Sequence, residues 1–239
     1  MRVPVLCYHR VEVPPPGFER DSNFVTPATF AEHLAALAAC GFSGVTVADI
    51  AAWQRGERTL PARSVAITFD DAYSSVLEHA IPLLDARRWP CTIFVVTSQI
   101  GGTNAWDTGA PRASLMNAVT LRTLATSGHE IGSHSAGHRR IRGLNDADAR
   151  SELVTSRDAL ASQLGAAVES FAFPYGSHDR HSLAQVHAAG YRAACTLKRW
   201  ANGRRANPLR LGRISVGGPL PAWQLGLKLA KLFVTPSRG

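Results

Sequence analysis

The chain has 239 residues, 45% of them hydrophobic and 18% charged, which suits one α/β domain with a sizeable core and argues against a disordered or fibrous protein. Lys and Arg (26) outnumber Asp and Glu (18), for a formal charge of +8. The arginines are scattered, and no aromatic-plus-basic motif accompanies them, so nucleic acid is not an expected partner. No apolar run is long enough to span a membrane and none at the start resembles a leader, which makes the cytoplasm the expected compartment.

Residues 3–8 form the first expected strand, and it ends in the polar pair His9-Arg10. The stiff turn Pro14-Pro15-Pro16-Gly17 is expected over the rim of the sheet. Thr26-Pro27 is a cap with Pro at the first helical position, starting a helix that buries Phe30, Leu34 and Leu37 and stops at Gly41. A short strand at 45–47 and a short helix at 48–54 follow. The apolar run 65–69 then breaks off into Asp70-Asp71. Residues 74–88 read as a helix with Val76, Leu77, Leu83 and Leu84 inward and a kink at Pro82. Residues 91–96 are β-branched and continuous, as buried parallel strands are. The connection 98–117 carries Trp106-Asp107 and is long enough to face a substrate.

A helix at 117–127 leads to the strand-like 129–131 and to Gly132-Ser133-His134-Ser135-Ala136-Gly137-His138. The longest helix, 145–164, runs from an Asn cap to Gly165. Residues 170–173 form a strand running into Pro174-Tyr175-Gly176; a helix at 181–189 and strands at 193–197 and 209–216 follow. The amphipathic helix 221–234 carries Lys228 and Lys231 and is the expected point of any contact with a membrane surface. Cys7, Cys91 and Cys195 sit in apolar runs and read as buried thiols, while His33, His79 and His187 read as surface helix residues. Strand and helix alternate throughout, with no repeat and no linker. The expectation is one domain over 1–239 with a parallel sheet, open or closed into a barrel.

The chemistry concentrates where strands end. Two adjacent carboxylates are costly unless their roles differ, and a metal on one with proton transfer on the other separates them. The bland alternative is that Asp71 merely caps the helix after it. His134 and His138, four apart, add two imidazoles, and two His with one carboxylate is a common catalytic set for a divalent ion.

Thr68-Phe69-Asp70-Asp71, His134-Ser135-Ala136-Gly137-His138 and Phe173-Pro174-Tyr175-Gly176, in this order, resemble the first three motifs of the polysaccharide deacetylases, the carbohydrate esterases with a NodB homology domain. The likeness covers roughly residues 1–216. It implies a distorted (β/α)7-type barrel acting on an N-acetylated glycan, with Asp70 as general base. Asp71, His134 and His138 are the implied ligands of a zinc-like divalent ion, and the Tyr175 backbone N–H helps form an oxyanion hole. Two positions depart from the family pattern. The third motif's arginine is replaced by Ala172, and the late Leu-x-His reads Leu211-Gly212-Arg213. Tyr8-His9-Arg10-Val11 resembles the branch that de-N-acetylates poly-N-acetylglucosamine, where a histidine ending the first strand serves as acid. That makes His9 the candidate acid, expected across the metal from Asp70, with His178 and His181 as second choices. Arg213 is either a replacement for the missing arginine, orienting Asp70, or a surface residue. Two rival readings stand beside this one: a deacetylase or deformylase of a lipid-linked sugar, and a catalytically inactive carbohydrate-binding homologue.

Overall fold

The computed structural model of the chain describes residues 1–234. The last five residues of the expected domain, 235–239, lie outside the described residues. The elements in order are β1 (Arg2–Val3), β2 (Val5–Tyr8), β3 (Arg10–Val11), β4 (Phe24–Val25), α1 (Pro27–Ala39), β5 (Ser43–Val45), α2 (Val47–Arg55), β6 (Ser64–Phe69), α3 (Ile81–Asp85) and β7 (Thr92–Val95). Then come α4 (Ala118–Thr126), β8 (Glu130–Ser133), α5 (Asp146–Leu164), β9 (Ser170–Ala172), α6 (Arg180–Ala188), β10 (Ala193–Cys195), β11 (Asn202–Gly203), β12 (Ile214–Ser215) and α7 (Ala222–Val234).

The main sheet is parallel, in the order β10-β9-β8-β7-β6-β2-β12, with β5 paired to the first half of β6. It curls into a half-barrel with helices around it. The lead-in to β12 reaches back to the far edge through a parallel bridge between Leu211 and Cys195. Strand side chains alternate between two cores. Leu6, Tyr8, Ile67, Phe69, Ile93 and Phe171 point outward to the helices, whereas Val5, Ala66, Phe94 and Ala172 point inward. The inward space is filled from the N-terminal ends of the strands by Val47, Ile50 and Trp53 of α2. Thr46 fixes that helix with a capping box to Asp49. At the C-terminal ends the inward row changes from apolar to polar, and there the chemistry sits.

Three local expectations need correction. Residues 76–80 form a π-turn ahead of α3, and its extra residue rotates the following side chains. Val76, Ala80, Ile81 and Leu84 are therefore buried while Leu77 is exposed. His33 is fully buried rather than superficial: its ring bonds Tyr8 Oη (3.1 Å) and the Leu220 carbonyl (2.7 Å), tying α1 to the sheet and to the approach to α7. The last strand is only Ile214–Ser215, because Pro208–Arg210 turns as a 3-10 segment. No helix among the described residues is long and apolar enough to cross a membrane.

Candidate active site

Two strand ends and two loops converge on a cleft of about 290 Å³ lined by Asp70, Asp71, His134, His138, Tyr175 and His9. Asp70 continues the inward row Ala66, Thr68 of β6. Asp71 would face outward if the strand went on. Instead Asp71 (φ 73°) and Ala72 (φ 59°) take left-handed backbone and swing its carboxylate into the same cleft. Ser135, His138 and Tyr175 also have positive φ, so five of the six such non-glycine residues among those described lie at this site. Strain gathered this way marks positions that the surrounding fold holds for function. The loop from His134 to His138 is braced by α5: Glu152, largely buried, accepts from Gly137 N–H (2.8 Å), and its carbonyl accepts from Ala136 N–H (3.1 Å).

On one side of the cleft, Asp71 Oδ1 lies 3.7 Å from His134 Nε2 and 3.4 Å from His138 Nε2. His134 Nδ1 is 2.8 Å from the Ala172 carbonyl, which can only accept, so Nδ1 carries the proton and Nε2 presents its lone pair to Asp71. His138 Nδ1 bonds Tyr175 Oη at 3.1 Å. Its ring is held between Trp106, stacked at 4.8 Å, and Tyr175, edge-on at 4.7 Å, with the Arg140 guanidinium 4.0 Å over the tyrosine. Burial lowers both imidazoles, His134 to about 4 and His138 to about 2, so both are neutral. Burial, and behind it Asp70, push Asp71 well above the ordinary carboxylate value. Asp71 Oδ1 is buried without a hydrogen-bond partner. One carboxylate oxygen and two imidazole nitrogens lie within 4.8 Å of one another. This donor set fits a divalent ion, and the outward-facing bonds to Ala172 and Tyr175 are the supports such ligands need.

The other side of the cleft is organised by Arg213. It is fully buried, which settles against a surface position, and it grips Asp70 with two bonds, Nη1 to Oδ1 at 2.6 Å and Nη2 to Oδ2 at 2.8 Å. Its Nε donates to the Thr196 carbonyl, and Cys7 Sγ approaches Asp70 Oδ2 at 3.4 Å. Burial raises the Asp70 carboxyl, yet Arg213 and the nearby His134 outweigh that and hold it far below its usual value. His9 stands beside Asp70, not across the cleft from it: donor atoms of Cys7, His9 and Asp70 lie within 4.8 Å of one another. The expectation of an opposite placement is corrected, because Cys7 and His9 share the inward row of a strand that neighbours β6 directly. His9 Nδ1 is buried without a partner, and burial lowers its pKa against the pull of Asp70.

Trp106 and Asp107 do line the cleft, as the long connection suggested. Buried Asn104 anchors that loop, donating to the Pro111 carbonyl (3.1 Å) and accepting from Ala113 N–H (2.8 Å). His178 and His181 are not brought in: the first turns back to the Gly176 carbonyl and the second pairs with Asp146 on the surface. Sequence reasoning missed Tyr73, Asn23 and Ser215 in the cleft wall, and the Tyr175 hydroxyl on His138. Asn23, Ser215 and the Tyr175 hydroxyl carry no local signal, since each arrives through contacts distant in the chain, whereas Tyr73 follows Asp71 by two residues and its nearness to that motif is the signal that could have found it.

A family model described as polysaccharide deacetylase matches residues 57–194. The chain is 24% identical over 160 residues to the poly-β-1,6-N-acetyl-D-glucosamine N-deacetylase of Staphylococcus aureus, covering 65% of this chain and 55% of that one. It is 38% identical over 87 residues to the enzyme of the same name from Escherichia coli, covering 36% of this chain and 12% of the other. It thus spans about half, or far less, of the length of these two relatives. The solved structure of IcaB from Ammonifex degensii is similar over 95% of this chain and 96% of that one, with a TM-score of 0.80 and 25% identity.

Proposed function

The chain belongs to the polysaccharide deacetylase family, and from that premise we propose that it removes N-acetyl groups from an N-acetylglucosamine polymer or oligomer, using one divalent ion, zinc. The observation that carries this reading is the division of labour between two adjacent carboxylates, Asp71 turned to two neutral imidazoles and Asp70 gripped by a buried arginine.

Asp71, His134 and His138 would hold the ion. Bound there, it would polarise the acetamide carbonyl and lower the pKa of the attacking water. Asp70 accepts the water's proton. Arg213 keeps this base ionised across the working pH range and fixes its plane, at the cost of making it a weak base. The Tyr175 backbone N–H donates to the oxyanion as the carbonyl carbon becomes tetrahedral. When the C–N bond breaks, the leaving nitrogen takes a proton from His9, and acetate and a free amine result. Burial makes the His9 imidazolium the stronger acid and also lowers the share of it present at neutral pH, so this step is favoured toward the acid side. Arg213 on Asp70 also weighs against an inactive binding homologue: burying an ion pair is expensive, and a binding module has no use for an ionised base in its core.

The test is to incubate the protein with N-acetylglucosamine oligomers and with exopolysaccharide, before and after chelation, and to measure free acetate. Release that stops on chelation and returns with zinc is expected. Undiminished release from metal-free protein would refute the metal. Release from a lipid-linked sugar alone would move the substrate to that class.

A further inference from the structure

The C-terminal quarter of the chain carries a charge pattern that deacetylation does not use. All 18 Asp and Glu fall within residues 1–179, where they outnumber 15 Lys and Arg; residues 180–239 hold 11 Lys and Arg and no acid. The net charge of +8 therefore belongs to this last stretch, and the even scatter of the arginines hides it because the asymmetry lies in the acids.

Helix α7 closes that stretch. Leu225, Leu229 and Leu232 bury one face, and the helix packs on α1. The opposite face presents Trp223 (65% exposed), Leu227 (54% exposed) and Ala230, which at about 100° per residue share one stripe. Lys231 and Lys228 border this stripe on one side. Arg199 stands near Lys228; its charge adds to burial, the larger cause, in holding that ammonium below the usual lysine value. On the other side a cavity of about 630 Å³ opens between Leu229, Phe42, Arg2 and Arg63, and no acidic side chain lines it.

We propose that this face of α7 docks on an anionic phospholipid surface, with Trp223 and Leu227 entering the interface, Lys228, Lys231 and Arg199 meeting headgroup phosphates, and the cavity beside Arg2 and Arg63 receiving acyl carbons. An apolar stripe with an amphipathic Trp, bordered by cations and free of acids, is the pattern of a helix that lies in a membrane interface. An acidic glycan or protein would satisfy the cations but leave the stripe and the cavity uncovered.

The experiment is sedimentation of the full chain with phosphatidylcholine vesicles, with and without about 30% phosphatidylglycerol, at low salt and near 0.5 M salt. At least tenfold tighter binding to the anionic vesicles is expected, lost at high salt. The double variant Trp223→Ser/Leu227→Ser should weaken it about tenfold or more, and Lys228→Glu/Lys231→Glu should abolish it. Trp223 and Leu227 are exposed, so an unchanged melting temperature verifies that the first variant is folded even if the charge reversal is not. Equal binding to both vesicles, binding to neither, or undiminished binding by the Trp223/Leu227 variant would overturn the proposal. So would a dimer, formed without vesicles, that this variant abolishes: the stripe would then belong to a second copy.

Discussion

Asp70 and Asp71 are the same residue type, one bond apart, and the structure drives them in opposite directions. Asp70 faces a fully buried arginine and stays ionised far below the usual carboxylate range. Asp71 faces two neutral imidazoles, and burial pushes it up. Around Asp70 are a cation and proton-handling groups; around Asp71 are two imidazoles, and its Oδ1 is buried without a hydrogen-bond partner. The difference shows that a carboxylate's role is written by what the fold sets against it, not by its place in a motif. Left-handed backbone at Asp71 lets the two environments share one cleft, with His134 Nε2 between them, 3.7 Å from Asp71 Oδ1 and 3.9 Å from Asp70 Oδ2.

His134→Ala should have the largest effect, ion and acetate release lost together, because Asp71 and His138 alone hold a catalytic ion poorly; elemental analysis beside the activity assay checks this. Asp70→Asn should keep the ion and lose roughly 10²–10⁴ in kcat. It also strands Arg213 in the core, which should lower stability by about 3–5 kcal/mol in a denaturant titration. If Asp70→Asn lost the ion and Asp71→Asn kept it, the two roles would be reversed.

His9→Ala should cost about 10² in kcat, the low end of the range for such groups, and leave the ion in place. An acid works while protonated, so the wild-type rate should fall as pH rises through the His9 pKa, and the variant should lack this basic limb. Trp106→Ala, which frees the His138 ring, should weaken metal affinity about 10–100-fold in a chelator competition while leaving kcat at saturating metal nearly unchanged. Cys7→Ala removes only a weak thiol contact to Asp70, and a change in kcat of about threefold or less is expected. A larger loss would place the thiol among the groups that hold the base.

Local chemistry in the sequence determined the alternation of strand and helix, the caps at Thr26 and Asn145, and the strand ends where polar residues interrupt apolar runs. It also determined which residues could bear the chemistry, since Asp70-Asp71 and His134 to His138 are contiguous and a strand's two-residue period is legible within a few positions. Tertiary structure alone decided their partners. Arg213 reaches Asp70 from 143 positions away, and no local pattern distinguishes it from a surface arginine. His9 falls beside Asp70 because β2 and β6 are neighbours in the sheet, and Tyr175 reaches His138 because two separate loops meet over β8 and β9. The π-turn that exposes Leu77 and the contacts that bury His33 belong to the same class. Periodicity specifies which way a side chain points within its own element, whereas pairing and desolvation depend on groups that only chain closure brings together, and those fix whether a carboxylate is a base or a ligand.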